Sequence, residues 1–149
     1  MNLISLTFID IVSKNGNLLI NVGPKADGTI PELQKKILLK LGNWLDDNHE
    51  AIFSTRPWKY VESSIEEGLS VRFTQKDGSL YIVTLGFPQN KDIQMKIKDF
   101  QTISDVKLLG FDGNLDWSNT NNHDNDNILI ISLPPNLKES PALSFKIIP

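Results

Sequence analysis

Hydrophobic positions follow one spacing up to Trp58 and a different one after it. From Leu3 to Ser13, Ile4, Phe8, Ile11 and Val12 fall on one side, the spacing of an amphipathic helix, and Asn15-Gly16 supplies a C-terminal stop. Leu18 to Val22 is apolar at four of five positions and ends at Gly23-Pro24. Its length and that stop predict a strand buried on both faces. A longer helix then follows. Thr29 and Glu32 have capping-box spacing, Pro31 sits in the first turn, and Leu33, Ile37, Leu41, Trp44, Leu45 and Ile52 recur every three or four residues. Each such side chain stabilises by roughly 1.5–3 kcal/mol when fully buried, so the helix requires a surface that one strand cannot provide.

Beyond Trp58 the period drops to two, and turn residues come at short intervals. Tyr60 to Gly68 reads as a polar connector holding a domain boundary, which divides the chain into 1–60 and 61–149. Val71–Gln75 and Leu80–Gly86 flank a Lys76-Asp77-Gly78 turn and predict a β-hairpin. A second pair is expected from Ile93–Ile97 and Asp105–Phe111, with Asn114–Trp117 returning after Asp112-Gly113. Ser118–Asn127 is polar throughout and reads as a loop, and Ile128–Leu133 and Ala142–Ile148 close the series. About seven short strands at this rhythm predict an antiparallel β-sandwich.

Composition removes several function classes. The 149 residues carry a net charge of −3 and a pI near 5.3, which is no electrostatic footprint for nucleic acid or an anionic membrane. The absence of cysteine excludes disulfides and thiolate metal sites. The N-terminal stretch lacks a positive n-region and a small-residue cleavage site, and Asp10 interrupts it, so it reads as a helix and not as a signal peptide. No run approaches the roughly 18 apolar residues of a membrane span.

The series NGNLLINVGP, ADGTIPE, GNWL and EAIFSTRPW resembles the end of the catalytic domain of glycoside hydrolase family 29, the α-L-fucosidases. VRFTQKDGSLYIVTLGFPQ and VKLLGFDGNLDW are similar to the domain that follows it. The resemblance implies an α+β chain. Residues 1–60 would be the terminal helix-strand-helix of a (β/α)8-type barrel, and residues 61–149 the C-terminal β-sandwich. It also implies hydrolysis of terminal α-L-fucosyl linkages with retention, a fucosylated glycan as partner, and no metal or organic cofactor. Export of the parent enzyme is expected by analogy.

Retaining glycosidases need two carboxyl groups about 5–5.5 Å apart. In the resembled family the nucleophile, the acid/base and the residues gripping fucose precede the part represented here. No position matches them, so no catalytic residue is assigned and the chain alone is expected to be inactive. The alternatives are a stand-alone carbohydrate-binding sandwich and one half of a split fucosidase. Either the missing barrel portion or a second copy would cover the exposed α/β segment.

Asn21 is expected to tie the strand-to-helix loop through its amide, and of all positions in the chain it is the one placed to approach a substrate. Asp27 reads as a turn residue beside Gly28 rather than a substrate-side acid. His49 reads as a helix C-terminal cap rather than a metal ligand paired with Glu50. His123, Asp124, Asn125 and Asp126 lack EF-hand spacing and read as a solvated loop. Trp58 offers either a stacking face for a sugar or an interdomain plug, with Arg56 pairing across the join; the plug is the expectation, as it is for Phe87 and Trp117.

Overall fold

A computed structural model of the chain describes residues 3–100, 102–121 and 126–149. Helix α1 spans Leu3–Ser13. Its end is set by Asn15 at φ 63°, with Asn15 N–H bonding Val12 O and Gly16 N–H bonding Ile11 O, both at 2.9 Å. These are the two bonds of a Schellman ending. A Cβ at Gly16 would lie 2.7 Å from Ile11 Cγ2, which requires glycine there. The buried line is Ser5, Ile9 and Ser13 rather than the expected Ile4, Phe8, Ile11 and Val12. Small serines let the helix lie close on the sheet, while Phe8 and Val12 pack from the side, partly buried.

Helix α2 covers Glu32–Asn48 and runs into a 3-10 turn, His49–Ala51. The capping box does not form. Pro31 occupies the N-cap with no side-chain bond to the helix, because Thr29 donates its hydroxyl to Asp27 Oδ1 at 2.7 Å instead. Between the helices, Leu18–Val22 enters neither sheet, so the expected doubly buried strand is not formed. A strand exists through its ladder partners, and among the described residues none flanks this segment; Leu19 is 86% exposed.

Eight strands make two antiparallel sheets among the described residues. Strands β1 (Arg56–Ser64), β2 (Ser70–Lys76), β3 (Ser79–Thr84), β8 (Ser144–Ile148) and β5 (Asp105–Leu108) are ordered β1-β2-β3-β8-β5. Strands β4 (Asp92–Ile97), β7 (Asn127–Ser132) and β6 (Asp116–Asn121) form the second sheet in the order β4-β7-β6. Inner faces meet in one core that includes Val71, Phe73, Leu80, Ile82, Ile93, Leu129, Ile131, Phe145 and Ile147. The helices cover the outer face of the larger sheet, where Tyr81, Val83 and Ala142 pack with Ile9, Trp44, Ala51 and Ile52. The result is three layers. β3 lies in the middle one, with residues 80–84 all buried, and so occupies the doubly buried position that the sequence suggests for Leu18–Val22.

The expected β2–β3 hairpin forms. Asp77 and Gly78 take φ 50° and 81°, and Lys76 pairs with Ser79 across a two-residue turn. Three other expectations change. Tyr60–Gly68 is largely strand and not connector, since β1 pairs with β2 through Ser64. Ile93–Ile97 and Asp105–Phe111 do not pair with each other: β4 joins β7 and β5 joins β8, in different sheets. Ser118–Asn121 belongs to strand β6, its polar sequence notwithstanding, because backbone pairing with apolar β7 holds it in register.

Candidate functional site

Polar contacts fasten the helical layer to the sheet. Trp44 Nε1 donates to Ala142 O at 3.0 Å, and Thr74 Oγ1 donates to Ala51 O at 2.7 Å. Tyr81 donates its hydroxyl to Glu50 Oε1 at 2.8 Å, and Lys146 bonds the same oxygen. The Lys146 ammonium holds the Glu50 carboxyl below its usual range, burial opposing it, while burial and then Glu50 push the Tyr81 hydroxyl well above its own. Arg72 Nε reaches Asp10 Oδ1 at 2.5 Å and ties α1 to β2. Lys14 and Arg72 together lower the Asp10 pKa against a desolvation effect. A general acid at neutral pH needs its pKa raised, whereas Asp10, Asp27, Glu50 and Asp99 are all lowered. These four carboxylates act as fasteners.

Asp27 accepts the Thr29 backbone N–H at 3.0 Å and its hydroxyl, and Gly28 has φ 83°, so Asp27 builds the expected turn. His49 is the C-cap of α2, its N–H bonding Leu45 O and its Nδ1 lying 3.2 Å from Asp46 O. Asn21 is exposed on the unpaired segment. His123, Asp124 and Asn125 lie outside the described residues; Asp126 is buried and pairs with Lys96 at 2.6 Å. Among the described residues no three His, Asp or Glu side chains converge as a metal set.

Trp58 does not lie between the helical layer and the sheet. It packs on the inner core of the sandwich, its ring centroid 5.4 Å from that of Phe73, on the face away from the helices. Phe87 and Trp117 also pack against that core. Arg56 is exposed, and its side chain donates to the neighbouring Thr55 carbonyl at 3.4 Å. The residue that does plug the join is Trp44, 4% exposed.

The pairing of β1 with β2 jumps from Pro57↔Thr74 to Glu62↔Arg72, so Trp58, Lys59, Tyr60 and Val61 stand opposite Phe73 alone. This edge bulge aims Trp58 and Tyr60 at one place, as bulges at sheet edges do. Their rings meet edge to face at 5.4 Å and 68°. Asp99, at φ 51°, accepts the Tyr60 hydroxyl at 2.6 Å and pairs with Lys59 at 2.9 Å. A hollow of about 100 Å³ lies there, lined by Trp58, Tyr60, Glu62, Ser63, Phe73, Lys96 and Lys98. Sequence reasoning reached Trp58 but missed Tyr60 and Lys98. The available signal was two aromatics two residues apart, the spacing of one strand face. A wider groove of about 1140 Å³ runs between α2 and the β7–β8 connection, with Trp44 and Ala142 in its lining.

The chain matches two family models: Alpha-L-fucosidase over residues 2–50, and Alpha-L-fucosidase C-terminal domain over residues 66–147. Human tissue alpha-L-fucosidase is 34% identical over 126 residues, covering 85% of this chain and 26% of that protein. The chain thus spans about a quarter of the length of such curated relatives. A Thermotoga maritima alpha-L-fucosynthase in complex with alpha-L-Fuc-(1-2)-beta-L-Fuc-N3 superposes with a TM-score of 0.83 at 34% identity, over 99% of this chain and 33% of that one. The T. maritima alpha-fucosidase in complex with a mechanism-based inhibitor gives 0.82 at 34% identity, over 99% and 34%. With the C-terminal domain model matched over more than half its length, the chain belongs to the α-L-fucosidase family.

Proposed function

We propose that this chain is the C-terminal portion of a retaining α-L-fucosidase, which in its whole form hydrolyses terminal α-L-fucosyl linkages of glycans. Residues 1–60 supply the closing helix-strand-helix of the barrel and residues 61–149 the sandwich, with β1 straddling the changeover. In that assembly Leu18–Val22 gains strand neighbours and Asn21, near its C-terminal end, approaches the substrate pocket. Alone, the chain is inactive.

One observation carries this reading. Leu19, Leu33 and Leu39 are 86%, 70% and 56% exposed, in and after a segment that has no ladder partner among the described residues. Large aliphatic side chains so placed favour a covering layer, and the preceding barrel staves of a fucosidase are a layer of the right kind. A second copy is the competing cover. The test mixes the purified chain with a separately produced barrel portion of a family member and follows hydrolysis of an aryl α-L-fucoside. Turnover by the mixture and by neither part is the expected result. Turnover by the chain alone, or a mixture that stays inactive while the chain self-associates, overturns the reading.

A further inference from the structure

We infer that the notch made by Trp58, Tyr60 and Lys98 at the open edge of the sandwich is a carbohydrate-binding subsite that takes one neutral pyranose ring of a glycan. The notch belongs to the sandwich and faces away from the helical layer, since Trp58 packs on the inner-face residue Phe73 while the helices pack on the outer-face residues Tyr81 and Val83. It lies in the gap between β1 and β4, the strands at neighbouring edges of the two sheets. The Ile65–Met95 bridge closes one end and the Asp99 clamp the other.

Its parts are held before any ligand arrives. Asp99 fixes the Tyr60 ring through its hydroxyl, Phe73 backs the Trp58 ring, and Lys59 and Lys98 lie 5.4 and 5.7 Å from the Tyr60 centroid. Preorganised aromatic rings lose little conformational freedom on binding, and few polar groups around an apolar floor fix orientation. Two rings at a steep angle, with the Lys59 and Lys98 ammonium groups over Tyr60, make an amphipathic wall on which C–H groups of a sugar meet ring carbons and its hydroxyls meet the ammonium groups. The rim carries the Lys98 ammonium and the Ser63 hydroxyl, a charged donor and a group that both donates and accepts, which suits sugar hydroxyls. Asp99, at the end of the notch, opposes an anionic ligand. A hollow of about 100 Å³ is far below the ~300 Å³ of a typical enclosed ligand site, so the ring rests partly inserted and exchanges readily. The choice of a sugar over another polar ring rests on the fucosidase reading above.

The test is an NMR titration of the isotope-labelled full chain with lactose and, separately, 2′-fucosyllactose. Both sugars are expected to shift the Trp58 indole N–H and the amides of Tyr60 and Lys98 saturably, with a Kd on the order of 1 mM, leaving the Trp44 indole unmoved. Tyr60→Ala is expected to weaken binding at least about tenfold, or about 1.4 kcal/mol, and Lys98→Ala severalfold, each with the unfolding midpoint retained. Trp58 itself supports the core and is left intact. No response to either sugar, shifts confined to residues 18–39, or binding that survives Tyr60→Ala overturns the inference. Because lactose carries no fucose and no hydrolysis is read, a failure here alongside restored turnover in the mixing assay refutes the notch alone. Binding here, alongside a mixture that stays inactive while the chain self-associates, refutes only the fucosidase reading.

Discussion

Leu33 and Trp44 lie three turns apart on one stripe of α2, yet Leu33 is 70% exposed and Trp44 is 4% exposed. Eleven residues advance a helix by about 16 Å, enough to carry its N-terminal half past the cover that the sheet gives its C-terminal half. The same apolar stripe is therefore covered over one part of its length and bare over the other. Its end near Trp44 is satisfied within this chain, and its end near Leu33 is not.

The two positions should respond differently to substitution. Trp44→Ala removes a large buried ring and one of the two donors to the Ala142 carbonyl, the other being the Ser140 hydroxyl, so a loss of about 3–5 kcal/mol is expected in denaturant unfolding. Trp44→Phe keeps most of the packing, loses the bond, and should cost about 1–2 kcal/mol. Leu33→Lys should stay within about 0.5 kcal/mol of the parent, while lowering the binding of a hydrophobe-sensing dye. A large loss of stability at Leu33 would mean that its end of the helix is already covered.

Arg72 carries the attachment of α1. Its side chain is 12% exposed and holds Asp10 at 2.5 Å and Glu62 at 3.4 Å. Arg72→Met keeps much of the buried stem and removes the charge-assisted bond, with an expected cost of about 1.5 kcal/mol. Hydrogen exchange locates the effect. Protection should fall in α1, residues 3–13, and remain in β3 and β8. A uniform loss across the sandwich would show that Arg72 supports the whole sheet.

Much of this arrangement is legible in the sequence where local pattern and tertiary demand agree. The limits of α1, its Asn15-Gly16 ending, the Asp77-Gly78 hairpin and strands β4, β7 and β8 follow from period and turn chemistry. Misreadings arise where a distant partner decides. Polar Ser118–Asn121 is a strand because β7 is beside it, and apolar Leu18–Val22 is not because no strand is beside it. Thr29 donates its hydroxyl to Asp27 instead of accepting a helix N–H, a choice between two local partners that spacing does not rank. The notch stayed hidden because a bulge, which sequence does not reveal, turns Trp58 and Tyr60 toward Asp99, 39 residues beyond Tyr60.

Glu50 gives the join between helices and sheet an acid-sensitive component. Its folded-state pKa lies below the ordinary value of 4.5, first because Lys146 bonds the carboxylate and then because Tyr81 donates to it, with burial opposing both. A depressed carboxyl pKa means that the unfolded chain binds the proton more readily. The resulting stability is fully present above pH 4.5 and is lost as pH falls through the lower, folded-state value. Glu50→Gln removes the titration while keeping an acceptor for Tyr81, so the variant should be less stable than the parent at pH 7. Its stability should also fall less between pH 5 and the acid limit, and the two curves should converge there. Asp10 contributes in the same direction, so Glu50→Gln flattens the profile only in part. Parallel curves for parent and variant, followed by denaturant unfolding from pH 7 downward, would show that Lys146 and Glu50 contribute no net attraction in the folded chain.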